Sequence, residues 1–291
     1  MNKKTWAAAL LISVFAAGLA LTGCGGNDAG ESGSSGKITV SGSSALLPLA
    51  KDAAKKFKAK NDQVSITLNA GGSGTGLKQV SEGSVDIGNS DVFAKEKLPE
   101  AKAAELVDYK VAVTVMAPVV SKEIGTNVKS LTKAQLQDIF TGKVTNWKDV
   151  GGPDEAVVLI TRPSTSGTRA LFTKYALDGK EELSNKSMET DDSGTLVQTV
   201  SQTKGAIGYV ALSYLMNNNT VTPLAIDGVE PTLDNVYNGK YPVWGYEHMY
   251  TKGEAAGAVK AFIDFIMSKD YSADIEKQGY GVASKMKVTW E

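Results

Sequence analysis

The sequence has little of two side chains on which many functional sites depend, with one cysteine and one histidine among 291 residues. No disulfide can therefore form within the chain, and a zinc site of histidine and cysteine ligands is nearly excluded. A strong charge of one sign is also missing: apart from the leader residues Lys3 and Lys4, 29 basic and 32 acidic side chains leave a net charge of −3. Such a chain lacks the global basic field typical of nucleic-acid binding, so a bound anion would have to be held by local dipoles.

The first residues are typical of a targeting signal rather than of a folded domain. A basic start is followed by the apolar run Ala7 to Leu21, which is too short to span a membrane comfortably. The run ends in Leu21-Thr22-Gly23-Cys24, which resembles the lipobox of bacterial lipoproteins, in which the cysteine is lipid-modified and becomes the new N-terminus. We therefore predict a lipoprotein signal peptide at residues 1–23, lipidation of Cys24, and a Gly/Ser-rich flexible tether at residues 24–36. The alternative is a secreted protein in which the single cysteine lies there by chance.

The stretch around which the chain is organised connects an apolar strand to a helix. Ala156 to Ile160 is a β-branched run of strand length, and Ala170 to Ala176 has large apolar side chains at helical spacing. Between them, Ser166-Gly167-Thr168 lies where the helix begins, and it offers free backbone N–H groups, two hydroxyls and the positive end of a helix dipole. Arg162 adds a cation whose planar fork suits a tetrahedral oxyanion. The stretch thus predicts an anion site, and a surface turn with a well-capped helix is the alternative.

Two further junctions of strand, Ser/Gly loop and helix precede this one. Ser41-Gly42-Ser43-Ser44 follows a short strand, Lys37 to Val40, and leads into an amphipathic helix. Gly71 to Gly76, with Ser73 at its centre, follows the strand Val64 to Leu68 and precedes a helix predicted from about Leu77 to Ser81. The glycine run fits neither the dinucleotide pattern nor a Walker A loop. N-capping by serine explains any one junction, but the three together favour a shared anion site.

An acidic residue accompanies these loops. Asp91 lies at the end of another predicted strand, Val85 to Gly88. A carboxylate beside several anion-binding loops is unfavourable unless the anion carries a proton that Asp91 can accept. A turn or capping aspartate is the alternative.

Strands and helices alternate along the chain, which predicts α/β architecture with mostly parallel sheets. Leu106 to Val120 is apolar, β-branched and long enough to cross between two lobes, and Tyr241 to Tyr250 can cross back. Roughly 255 residues follow the tether, a length that suits two lobes better than one.

In this order, the motifs resemble the phosphate-binding subunit of the bacterial phosphate ABC importer, a substrate-binding protein of the two-lobed type II class. The resemblance covers essentially the whole chain after the tether. It rests on Ser41 to Ser44, Gly72 to Gly76 with Lys78 and Gln79, Val85 to Asp91, Ile139 to Gly152, Arg162 to Thr168, and Gly205 to Val210. It implies a periplasmic-binding-protein-like II (Venus flytrap) fold, in which each lobe is a mostly parallel sheet flanked by helices and a double crossover forms the hinge. We expect residues 37–116 and 245–291 to form lobe I and residues 117–244 to form lobe II, with hinges near Val113–Pro118 and Trp244–Tyr250.

The resemblance also implies a function. The protein would capture inorganic phosphate outside the membrane, to which its lipid anchors it, and deliver the phosphate to ABC permease and ATPase subunits. It would act as a monomer, without a cofactor or metal and without enzymatic activity. The residues implied to bind phosphate are Ser43, Ser44, the backbone amide of Ala45, Ser73, Asp91, Arg162, Ser166, Gly167 and Thr168. Where many relatives have an acid two residues after the binding arginine, this chain has Ser164, so Arg162 is expected to be steadied in a different way.

Monohydrogen phosphate suits this set because it has four oxygens and one proton. Hydroxyls, backbone N–H groups and Arg162 donate to the oxygens, and Asp91 accepts the proton. Sulfate has no proton at neutral pH, so its oxygen would face Asp91 with like charge, at a cost of up to about 5 kcal/mol at ~3 Å and an effective dielectric near 20. A binding protein for sulfate or molybdate on the same fold is the first alternative, because those anions need no acceptor.

Two other classes of function fit the sequence less well. A serine hydrolase or phosphatase would have to use His248, the single histidine, which lies in an aromatic stretch far in sequence from the serine loops. A surface adhesin or scaffold would leave the three junctions unexplained. Arg169 is expected to have a structural role, with bracing of its helix start and an ion pair as the two options.

Overall fold

The computed structural model of the protein describes residues 36–289. The predicted signal peptide, Cys24 and almost all of the predicted tether lie outside these residues. The strands are β1 Gly36–Gly42, β2 Val64–Ala70, β3 Ile87–Ser90, β4 Leu106–Val120, β5 Ser130–Leu131, β6 Val158–Thr161, β7 Met188–Glu189, β8 Ala206–Ala211, β9 Thr222–Pro223, β10 Ala225–Ile226 and β11 Trp244–Lys252. The helices are α1 Leu47–Lys60, α2 Ser73–Ser81, α3 Glu100–Ala103, α4 Lys122–Asn127, α5 Lys133–Phe140, α6 Gly167–Tyr175, α7 Ser193–Gln202, α8 Leu233–Tyr237, α9 Gly257–Met267 and α10 Ser272–Lys277. Within residues 36–289, no helix has both the length and the apolar character needed to cross a membrane.

The strands form a mixed sheet in the order β2-β1-β3-β11-β4-β8-β6-β7, with β9 paired to β4, and β10 pairs separately with β5. Parallel pairing joins β1 to β2 and β3 at one end of this order, and joins β6 to β7 and β8 at the other. Between them, β4 and β11 pair antiparallel from Trp244 opposite Val115 to Lys252 opposite Leu106. The expected mixture of parallel strands and flanking helices is therefore present. The two long antiparallel strands, however, join its parts into one continuous path of strands.

Two large apolar clusters flank this path. One packs α1 and α9 against β1, and it includes Ile38, Phe57 and Phe262. The other surrounds Phe172 and Tyr209, whose rings stack with their centroids 4.3 Å apart. Residues of β4 contribute to both clusters. The predicted lobe boundaries within this arrangement stay a prediction.

The main difference from the sequence-based elements is at the glycine run. Helix α2 begins at Ser73, whereas the spacing of apolar residues predicts a start at Leu77. Glycine permits this earlier start because the first turn packs tightly against β1: a Cβ at Gly76 would lie 2.5 Å from the carbonyl oxygen of Ser41. The N–H groups at this end of the sheet therefore belong to the first turn of α2 and not to a loop.

Strand β3 also begins two residues later than expected, at Ile87. The carboxylate of Asp86 accepts hydrogen bonds from the backbone N–H and the hydroxyl of Thr39, both at 2.7 Å. The N–H of Thr39 thus bonds to the side chain rather than to the backbone carbonyl of Asp86, while the N–H of Asp86 donates to the carbonyl oxygen of Thr39 at 3.0 Å. Asp91 directly follows Ser90, the last residue of β3.

Candidate anion-binding site

The predicted site residues all lie where a strand ends or a helix begins. Ser43, Ser44 and Ala45 connect β1 to α1, Ser73 starts α2, Asp91 follows β3, Arg162 follows β6, and Ser166, Gly167 and Thr168 form the start of α6. The eight non-glycine residues are at most 2% exposed, and Gly167 is buried as well. The structure therefore brings the three junctions and Asp91 together in the interior, where hydrogen bonds and charges act with little screening.

Arg162 is the cation of this set, and its guanidinium is anchored on one loop while it reaches two serines. Its Nε donates to the carbonyl oxygen of Thr190 at 2.9 Å, and Nη2 donates to that of Asp191 at 2.8 Å. Nη1 lies 3.3 Å from Oγ of Ser193, and Nη2 lies 3.2 Å from Oγ of Ser44. Burial lowers the pKa of Arg162. The guanidinium is thus fixed in orientation by backbone carbonyls.

These carbonyls orient Arg162 in place of an acid, since the position two residues after Arg162 is Ser164. Its backbone carbonyl accepts a hydrogen bond from Nζ of Lys97 at 2.8 Å. Arg162 is steadied from the segment before α7 instead. Two neutral carbonyl oxygens orient the guanidinium without cancelling its charge, so more of that charge is left for an anion.

The other arginine of the chain, Arg169, braces the same loop. Its Nη1 donates to the backbone carbonyl of Arg162 at 2.8 Å, and its Nε lies 3.1 Å from Oε1 of Glu182. Burial raises the pKa of Glu182 to about 7, although the charge of Arg169 and a hydrogen bond from Tyr209 oppose this rise. Arg169 therefore combines the two expected structural roles, because it braces the loop before its helix and pairs with Glu182.

Asp91 is connected to two of the hydroxyl residues. Its backbone N–H donates to Oγ of Ser73 at 3.0 Å, and its Oδ2 accepts from Oγ1 of Thr168 at 3.0 Å. A Cβ on Gly167 would lie 2.2 Å from Oγ of Ser73 and 2.9 Å from Cγ of Asp91. Glycine is therefore required at position 167 for the start of α6 to approach Asp91.

Two of the predicted serines also cap backbone groups, which was the alternative interpretation of these loops. Oγ of Ser43 accepts from the N–H groups of Ala45 and Leu46 at 3.0 and 3.2 Å, and Oγ of Ser166 accepts from that of Arg169 at 3.2 Å. Each hydroxyl still has its own proton to donate. The Ala45 amide, by contrast, is already engaged by Ser43.

The structure adds Ser193, which the sequence analysis did not include. Its Oγ lies 3.1 Å from Oγ of Ser44, in addition to its contact with Arg162, and its N–H donates to Oγ of Ser44 at 3.3 Å. Ser193-Gly194-Thr195 starts α7, with Asp192 as its N-cap, and it repeats the pattern of Ser166-Gly167-Thr168 at the start of α6. This repeated tripeptide was the signal that could have identified a fourth junction.

With this geometry established, comparison with known proteins identifies the family. Residues 27–270 match the model of the PBP superfamily domain. The chain is 52% identical over 262 residues to the phosphate-binding protein PstS of Bacillus subtilis, covering 89% of this chain and 85% of that protein. The chain belongs to the PBP superfamily, in the family of the PstS proteins. The predicted family is therefore confirmed.

Other relatives agree with this assignment. Protein SphX of Synechococcus elongatus is 30% identical over 248 residues, which is 79% of this chain and 73% of that protein. A Clostridium perfringens structure, described as a phosphate ABC transporter substrate-binding protein with bound phosphate, has a TM-score of 0.77 and 33% identity, and the match covers 87% of this chain and all of that one. The predicted fold class is confirmed by this likeness.

Proposed function

We propose that this chain is an extracytoplasmic substrate-binding protein that captures inorganic phosphate and delivers it to the permease and ATPase subunits of an ABC importer. The observation that carries the proposal is the burial of one acceptor, Asp91, in the same site as the cation Arg162 and a set of hydroxyl donors. The names of the PstS relatives and the phosphate in the Clostridium structure support it.

The chemistry of the site follows from its donors and its acceptor. Arg162 and the positive ends of α2 and α6 offset the charge of the anion. The hydroxyls of Ser44 and Ser73 donate to its oxygens, Thr168 donates to Oδ2 of Asp91, and Asp91 accepts the proton of the anion. An anion without a proton would face the Asp91 carboxylate at close range in the interior and would be rejected by repulsion.

We propose that capture closes two lobes, with the boundaries stated above, around the anion. Direct contacts between segments of the two proposed lobes support this: Thr168 bonds to Asp91, and the N–H of Gly74 donates to the carbonyl oxygen of Thr165 at 2.9 Å. The described structure then corresponds to a closed form, and β4 and β11 would provide the hinge. Small-angle scattering should show compaction when phosphate is added to protein stripped of anion, and an unchanged radius of gyration would refute closure.

We propose a binding role without enzymatic activity. His248 places Nδ1 2.7 Å from Oδ1 of Asp108 and stacks on Tyr250, with ring centroids 5.5 Å apart. The hydroxyls of the site bond to Arg162, Asp91, backbone groups and one another rather than to an imidazole. A monomer is the expected state.

We propose that Cys24 carries a lipid that anchors the protein at the outer face of the cell membrane. The lipobox-like motif supports this proposal. The chain expressed in a bacterial host should partition into detergent and incorporate labelled fatty acid, whereas Cys24→Ser should do neither. Equal labelling of the two would exclude Cys24 as the lipidation site.

Titration calorimetry tests the proposed ligand. The full chain, purified in detergent and freed of anion by unfolding and refolding, would be titrated with phosphate, sulfate and molybdate. Tight binding of phosphate alone supports the proposal. Asp91→Asn should reduce the preference for phosphate, while Asp138→Asn, a partly exposed carboxylate that pairs with Lys143, should not. Equal or tighter binding of sulfate or molybdate would instead favour the first alternative, a protein for those oxyanions.

A further inference from the structure

A second acidic side chain lies buried behind Asp91. Glu247 has no exposed surface, and neither of its carboxyl oxygens makes a hydrogen bond within the described part of the chain. Oδ1 of Asp91 and Oγ1 of Thr114 are also buried without a partner. A buried polar atom without a hydrogen-bond partner destabilises the folded protein, so a cluster of such atoms requires a physical cause.

The sheet places these three side chains on one face. Strand β11 pairs antiparallel with β3 so that His248 lies opposite Ser90. Continuing this register by one residue places Glu247 of β11 opposite Asp91, which directly follows β3. On the other side of β11, Glu247 lies opposite Ala112 of β4, two residues from Thr114. Side chains opposite each other, or two residues along, share a face of the sheet. Glu247 therefore lies between Asp91 and Thr114.

The surroundings of Glu247 favour its neutral form. Burial, and then the negative charge of Asp91, raise the pKa of Glu247 well above its ordinary range. The other titratable groups that interact with it are Tyr214 and Tyr280. Both phenols donate elsewhere, to the backbone carbonyls of Ser44 and Ala45. None of these neighbours is a cation that could stabilise an ionised Glu247.

We propose that Glu247 carries a proton at neutral pH and donates it in a hydrogen bond to Oδ1 of Asp91, which positions the Asp91 carboxylate to accept the proton of the ligand. The inference rests on the proposed phosphate function. With one proton on Glu247, every polar atom of this group has a partner. Thr114 donates to the carbonyl oxygen of the Glu247 carboxyl group, Glu247 donates to Oδ1 of Asp91, and Thr168 donates to Oδ2 of Asp91. The pair then holds one negative charge beside the anion instead of two. Glu247 is a positioning residue, since it acts through Asp91.

The test compares the full-length protein with Glu247→Gln and Glu247→Leu. Glutamine keeps a donor toward Asp91 but cannot ionise, and leucine keeps the bulk but has no donor. At neutral pH we expect phosphate binding to weaken less than about threefold in Glu247→Gln and about ten- to a hundredfold in Glu247→Leu. Toward alkaline pH the wild type should lose affinity as Glu247 ionises, whereas Glu247→Gln should lose less. Glu105→Gln, an exposed carboxylate, is the matched control and should follow the wild type.

An infrared spectrum reads the proton directly and does not depend on binding. The wild type at neutral pH should show the carbonyl stretch of a protonated carboxyl that Glu247→Gln lacks. Absence of this difference, or equal weakening of phosphate binding in the glutamine and leucine variants, would overturn the proposal. If Glu247→Leu does not fold, the pH dependence of phosphate binding in Glu247→Gln and the infrared spectrum still test the proposal. Should the wild type bind no phosphate, the proposed function fails, while the spectrum still shows whether Glu247 is protonated.

Discussion

Nη2 of Arg162 lies 3.2 Å from Oγ of Ser44, although 118 residues separate the two in sequence. The contact joins the junction after β1 to the junction after β6. The carbonyls of Thr190 and Asp191 fix the same guanidinium from behind. The orientation of Arg162 is thus set by the segment before α7, and its remaining donor capacity is directed at the serines of the site.

Arg162→Lys should weaken phosphate binding by about a hundredfold or more. A lysine keeps the charge but has no planar fork, so it cannot bond the two carbonyls and present a directed donor to the anion at the same time. Calorimetry measures the effect, and Lys143→Gln, which removes an exposed cation, should leave the affinity unchanged. Near-normal binding by Arg162→Lys would show that charge alone suffices.

Ser193→Ala should reduce phosphate affinity by about tenfold, because it removes a hydroxyl that contacts both Arg162 and Ser44 in the interior. Ser201→Ala on the same helix is the matched control, since that hydroxyl is exposed and bonds only to the backbone of Gln198. If both variants bind phosphate like the wild type, Ser193 does not belong to the site.

Much of the site could be predicted because its signals are local. A strand followed by a Ser/Gly pair at a helix start identifies Ser44, Ser73 and Thr168 without any knowledge of which loops meet. Ser193 has the same local signal and was missed because the segment before it contains only the two-residue strand β7, so no strand-length apolar run pointed to a junction.

Other features depend on tertiary contacts that no local pattern encodes. The groups that orient Arg162 could not be predicted, because every residue has a backbone carbonyl and the sequence does not indicate which of them an arginine contacts. The partner of Asp91 within the sheet depends on the register of β3 and β11, which are more than 150 residues apart. The sequence around Glu247, in the aromatic stretch Tyr241 to Tyr250, therefore does not indicate that Glu247 lies beside Asp91. The continuous path of strands through β4 and β11 depends on the same long-range pairing.

Gly167→Ala should weaken phosphate binding by about tenfold or more while the fold is retained. The added methyl would lie 2.2 Å from Oγ of Ser73, so the start of α6 must move away from Asp91. Gly71→Ala is the matched control, because its nearest neighbour would be a methyl group of Thr75 at an ordinary 3.4 Å. Calorimetry and thermal unfolding, measured together, separate loss of the site from loss of the fold. Unchanged affinity in Gly167→Ala would mean that the close approach of α6 to Asp91 is not needed for binding.

The stability of the protein should fall with rising pH through the titration of Glu182. This carboxyl is buried between Arg169 and Tyr209, and burial raises its pKa from 4.5 to about 7 in the folded protein. The folded state then holds the proton more tightly than the unfolded state, so this stabilisation is complete below about pH 4.5 and is lost as the pH rises through about 7. A shift of this size corresponds to roughly 3 kcal/mol in the free energy of unfolding.

Urea unfolding at a series of pH values should show this decline in the wild type and in Glu181→Gln, whose exposed side chain contacts the same arginine, but a flatter profile in Glu182→Gln. Equal slopes in all three proteins would mean that Glu182 is ionised in the fold and that its ion pair with Arg169 outweighs the cost of burial.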